Sequence, residues 1–65
     1  MGKKTGTIVR GDDGLLLFQL TDKKEEAVLI PRKHLGGGLR VNDRVVVKIN
    51  GGGSDFFKWS TLKKL

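Results

Sequence analysis

Val41-Asn42-Asp43-Arg44-Val45-Val46-Val47-Lys48-Ile49-Asn50 is the stretch that decides the fold. Val45, Val47 and Ile49 alternate with Arg44, Val46 and Lys48, the period of two that sends neighbouring side chains to opposite faces of a strand. The strand is expected over Arg44 to Asn50. Asn-Asp in front of it is turn chemistry, because both side chains hydrogen-bond nearby backbone and tolerate tight bends. The same grammar repeats outward from this strand in both directions.

Toward the N-terminus, Thr5 to Arg10 reads as a strand with Ile8 and Gly6 facing inward. Gly11-Asp12-Asp13-Gly14 follows as a tight turn, since Asp-Gly supplies the positive φ that a hairpin needs. Leu15 to Thr21 is a second strand, apolar on both faces, which leads to the expectation that a loop or helix covers one side. Asp22 to Glu26 is a charged hairpin tip, and Ala27 to Pro31 a third strand ended by a residue that cannot donate to a ladder. Arg32 to Leu35 makes one helical turn, stopped by Gly36-Gly37-Gly38. Beyond the fourth strand, Gly51 to Asp55 is a flexible loop. Phe56 to Leu62 is the last strand, and Lys63-Lys64-Leu65 a frayed basic tail. The expectation is one all-β domain over residues 1–65: a small five-stranded OB-like barrel with at most one short helical turn. Closing such a barrel removes the edges an open sheet leaves.

Composition narrows the function. Sixty-five residues leave room for one domain, and a chain of that size buries only ~60% of its unfolded surface. Cysteine is absent, so no disulfide or thiolate–metal framework supports the fold. Thirteen Lys and Arg stand against seven Asp and Glu, a net charge of +6. A thin core and a basic surface argue against a multi-part catalytic site and for a small binding module. No apolar run approaches the ~20 residues of a membrane span, and no apolar core of a secretory signal follows Met1 to Thr5. Gly6 stands where a myristoylation motif after Gly2 wants Ser or Thr. The reading is a cytoplasmic, non-enzymatic protein.

The candidate binding residues are Arg10, Arg32, Lys33, His34, Arg40, Arg44, Lys48, Phe56 and Lys58. Arg32, Lys33 and His34 follow the third strand and Lys58 points outward on the fifth. On an OB barrel these places border the groove where oligonucleotides lie. Phe56 shares a face with Lys58, an arrangement that pairs base stacking with a phosphate contact; packing against the Gly51–Asp55 loop is the other reading of Phe56. Phe18 reads as core. His34 is the single histidine, so no zinc site and no catalytic triad is expected, and no metal or cofactor is expected at all. Asp12 and Asp13 read as turn residues. Neither glycine cluster has the Lys-Ser/Thr of a phosphate loop. The partner expected is RNA or single-stranded DNA, bound with low sequence preference by a monomer.

Gly6-Thr7-Ile8-Val9, Gly14-Leu15-Leu16-Leu17, Val28-Leu29-Ile30-Pro31 and Leu35 resemble, in order, landmarks of one OB family: the RNA-binding domains of the S-one type, named after the largest small-subunit ribosomal protein. Leu39-Arg40-Val41-Asn42-Asp43-Arg44-Val45-Val46-Val47-Lys48-Ile49 is similar to the family's Gly-Asp-x-Val-x-Val-x-Val strand, with Asn42 where Gly is usual. Phe57-Lys58-Trp59-Ser60-Thr61-Leu62-Lys63 looks like its closing Ile-x-Leu-Ser-Leu-Lys strand. The resemblance implies an OB barrel that binds RNA. Leu16 and Pro31 stand where the family often has a stacking aromatic and a His, so the resemblance implies the fold more firmly than RNA binding by stacking, and some family repeats with Pro there serve in protein contacts.

Two alternatives come from other classes. Ile30-Pro31-Arg32-Lys33-His34-Leu35 with Val41 to Val47 is similar to the dimeric swapped-hairpin regulators of duplex DNA, although Gly36-Gly37-Gly38 interrupts the helix those proteins need. The other alternative is a protein-binding module, favoured by the missing aromatic platform at Leu16 and Pro31, or an engineered small-barrel scaffold, since Gly51-Gly52-Gly53-Ser54 resembles a designed linker.

Overall fold

A computed structural model describes residues 2–51 and 56–65. The described residues form β1 (Gly2–Arg10), β2 (Leu16–Leu20), β3 (Ala27–Leu29), a 3-10 turn (Arg32–His34), β4 (Arg44–Ile49) and β5 (Phe57–Lys64). All five strands lie in one antiparallel sheet in the order β3-β2-β1-β4-β5. The first four follow a Greek-key path: three strands joined by hairpins, and a fourth that returns to lie beside the first. None of the helices is long and apolar enough to cross a membrane among the described residues.

The sheet curls strongly. Phe18 on β2 and Phe57 on β5 are three strands apart, which in a flat sheet means about 14 Å. Their ring centroids are 5.7 Å apart, and Phe18 to Trp59 is 5.9 Å, both edge-to-face. This curl places Phe18, Ile8, Val45 and Val47 out of solvent entirely, with Leu20 and Ile30 nearly so. Phe57, Trp59, Leu62, Leu35 and Leu39 pack around them. Burying each of the four largest side chains stabilises by roughly 1.5–3 kcal/mol. Gly6 makes the curl possible: a Cβ there would lie 2.4 Å from the Gln19 carbonyl oxygen and 2.8 Å from the Phe18 ring.

The fold is all-β and barrel-like, as the alternation in β4 implies, but the ladder does not close. β3 and β5 are the margins of the sheet. Strand ends differ from expectation in two instructive places. β1 begins at Gly2 rather than Thr5, because Gly2 to Thr5 pair with Ile49 to Val46 of β4. β5 runs to Lys64, so Lys63 and Lys64 are not a frayed tail. They pair with Val46 and Val45, and the Leu65 N–H donates to the Arg44 carbonyl.

Turn chemistry fixes the register of these strands. Gly14 has φ +84° and donates its N–H to the Gly11 carbonyl, while the Asp13 carboxylate accepts the Leu15 N–H. Arg40 to Asp43 is a turn of type II, with Asn42 at φ +77° and the Asp43 N–H donating to the Arg40 carbonyl. Asparagine is one of the few residues with a side chain that visits this region readily. That is why it can replace glycine ahead of β4.

Candidate nucleic-acid interface

β1 and β4 place Lys3 directly opposite Lys48, and β4 and β5 place Lys48 opposite Lys58. Cross-strand partners share a face, so three lysines stand in a row across three strands, roughly 10 Å wide. Arg44, opposite Thr7, and Lys63, opposite Val46, belong to the same outward face. Lys3, Arg44, Lys48, Lys58 and Lys63 are all exposed, and none of them makes an ion pair among the described residues. The carboxylates of the described residues lie elsewhere. Asp12 and Asp13 occupy the β1–β2 turn, and Asp22, Glu25 and Glu26 the β2–β3 hairpin. Asp43 is engaged by the Arg40 N–H at 2.8 Å and by the Lys64 ammonium at 3.5 Å.

The β4–β5 ladder is interrupted inside this face. Lys48 pairs with Lys58 and Val46 with Lys63, so residues 59 to 62 of β5 stand against residue 47 alone. A hydroxyl bridges the interruption: Thr61 Oγ1 accepts the Lys48 N–H at 2.9 Å and donates to the Lys58 carbonyl at 2.7 Å. Extra residues of this kind bend a strand and re-aim its side chains. Here they bring Leu62 inward and carry Lys63 back to the outer face.

Of the residues singled out from sequence, Arg44, Lys48 and Lys58 are brought together. Arg32, Lys33 and His34 form the 3-10 turn, which packs against β5. Arg10 lies apart at the end of β1, opposite Leu16, and Arg40 in the turn before β4. Phe56 is half-buried rather than freely exposed, edge-on to Phe57 with centroids 4.9 Å apart. It borders a cleft between β3 and β5 with Val28, Glu25 and Glu26. Its alternative packing partner, the 52–55 part of the loop, lies outside the described residues. Lys3 and Lys63 were not legible as site residues. Carrying the period of two in β1 back through Thr7 and Thr5 reaches Lys3, but nothing in the sequence announces the irregularity that returns Lys63 to this face.

A second row crosses the other half of the same outer surface. Val9 stands opposite Leu17, and Leu17 opposite Leu29. The cover expected for the apolar outer side of β2 is not formed by the described residues, and Leu29 is 52% exposed and Leu15 41%.

No family model matches the chain, and no curated protein or solved structure matches it significantly.

Proposed function

We propose that the outward face of β1, β4 and β5 binds the phosphate backbone of RNA or single-stranded DNA with low sequence preference. One observation carries this reading: five cations without carboxylate partners among the described residues share one face, and three of them sit in direct cross-strand register. Like charges placed opposite one another cost stability. A polyanion laid along the row offsets that repulsion and releases its own counterions. A single strand is favoured because it can follow a curved sheet, and the described residues supply no α-helix to enter a major groove. The resemblance to the S-one type points the same way, with charge rather than aromatic stacking as the source of affinity. A second reading, a protein-binding module, draws on the outward Val9–Leu17–Leu29 row, exposed at Leu29 and half-buried at Val9 and Leu17.

Fluorescence anisotropy with a labelled single-stranded RNA, repeated across salt concentrations, tests the proposal. Five phosphate contacts give a slope of log K against log salt of roughly −3.5. Lys48→Gln should weaken binding and make the slope shallower by about 0.7. Replacing Leu17 and Leu29 by Gln should leave RNA affinity unchanged. A slope near zero, or equal tightness for duplex DNA, would overturn the single-strand electrostatic reading.

A further inference from the structure

The interruption in β5 leaves a pocket of about 300 Å³ on the outer face, and the charged residues that line it are all of one sign. Val46 and Leu62 supply apolar surface. Lys3 reaches it from β1, Lys48 from β4 and Lys63 from β5, with the Ser60 and Thr61 hydroxyls between them. No carboxylate of the described residues lines it. The Thr61 hydroxyl proton is committed to the Lys58 carbonyl, whereas the Ser60 hydroxyl is exposed and makes no hydrogen bond to the described residues. Three lysines and one free hydroxyl therefore line a single open pocket.

We propose that this pocket is a binding site for a phosphate monoester dianion, held by Lys3, Lys48, Lys63 and Ser60. The choice of a monoester over a diester follows from charge and oxygen count. A monoester carries a charge of about −1.5 to −2 near neutral pH and presents three acceptor oxygens. A backbone diester carries a single charge and two free oxygens, which leaves one of the three lysines without an acceptor oxygen and two without a balancing charge. One-signed clefts with low-dielectric walls also focus their field, and Val46 and Leu62 provide such walls. The site deepens the nucleic-acid reading, since it shares Lys3, Lys48 and Lys63 with the basic face: the phosphorylated end of a strand would seat here while its diesters follow the lysine row. Free phosphate or a small phosphate ester offers the same chemistry.

Two ligands of matched charge separate the possibilities. A trinucleotide with a terminal phosphate and an unphosphorylated pentanucleotide both carry about −4 at pH 7.5. The chain labelled with nitrogen-15 is titrated with each, and with inorganic phosphate at constant ionic strength, by following backbone amide shifts. Inorganic phosphate should saturate shifts at Lys48 and at Ser60 to Lys63. The phosphorylated trinucleotide should bind about ten-fold tighter than the pentanucleotide. Lys63→Gln combined with Ser60→Ala should erase that advantage, and Lys63→Arg should keep it. Both positions are exposed, and the unchanged spectrum away from β5 serves as the check on folding. Equal affinity for the two oligonucleotides overturns the pocket and leaves the basic face standing. Saturation by phosphate without binding of either oligonucleotide upholds the pocket, assigns it to small phosphates, and removes the nucleic-acid function. Absence of phosphate-induced shifts overturns the site.

Discussion

Val9, Leu17 and Leu29 stand side by side across β1, β2 and β3, and Lys3, Lys48 and Lys58 stand the same way across β1, β4 and β5. Both rows belong to the outer surface of one sheet, and β1 contributes a residue to each, six positions or about 20 Å apart. Their energetics are opposite. Neighbouring aliphatic side chains on adjacent strands shield one another from water and contribute stability. Neighbouring ammonium groups repel, and no carboxylate of the described residues pairs with them. Stability therefore accounts for the apolar row and leaves the lysine row unexplained, which is the physical reason to assign function to the second. The difference teaches that position in the ladder, more than total charge, singles out a candidate site on this chain.

The comparison breaks down if the two rows belong to separately folding units. Phe18 decides this, because it lies under β1 and Gly6 while touching Phe57 and Trp59 of β5. Phe18→Ala should cost about 3–5 kcal/mol, a large share of the stability a small domain has. Denaturation followed by Trp59 fluorescence, which reports on β5, should coincide with loss of amide protection in β1 to β3. Two separate transitions would mean that the rows do not share one core.

A smaller effect sharpens the lysine side alone. Asn42, in its left-handed conformation, starts β4 in the register that brings Lys48 opposite Lys3. Asn42→Ala should lower stability by about 1 kcal/mol, and Asn42→Gly should be close to neutral; thermal unfolding of both variants checks the sign. The smallest effect is the most diagnostic. Lys48→Thr should raise stability by roughly 0.2–1 kcal/mol at low salt, because it removes two like-charge pairs. The gain should fade near 1 M salt, where the screening length is about 3 Å. Leu29→Thr, at a mostly exposed position, should change stability by no more than about 0.5 kcal/mol, with no dependence on salt. Denaturant midpoints at two salt concentrations separate the two rows.

Much of the fold was legible in the sequence because strands and turns are local. The alternation of Val45, Val47 and Ile49 fixes the inward face of β4, and Asp13-Gly14 and Asn42-Asp43 are turns whose backbone demands their side chains meet. Strand ends were not legible, since they depend on partners. Gly2 to Lys4 have no apolar pattern, and they are a strand only because β4 offers them a ladder. Lys63 and Lys64 read as a tail because the sequence does not reveal that the Thr61 hydroxyl takes over a backbone role and lets pairing resume. The same irregularity explains the candidate site. Arg44, Lys48 and Lys58 follow from period-two alternation, Lys3 only once β1 is extended by its pairing with β4, and Lys63 only through the irregularity. Leu15 to Leu20 read as covered on both sides, and the outer side instead remains open at Leu15 and Leu29.

The unclosed sheet has a consequence for how the chain behaves when crowded with copies of itself. Two bare margins are templates for fibril growth, and native sheets blunt such margins with short strands, irregularities and lysine. β3 exposes a margin only three residues long, too short to hold a neighbour by backbone pairing. β5 is longer, but it is broken at Thr61 and carries Lys58, Lys63 and Lys64 along its length. Stacking one β5 on another would set these cations against their own kind. The charge that recommends this protein as a partner for polyanions thereby also guards it against edge-to-edge aggregation.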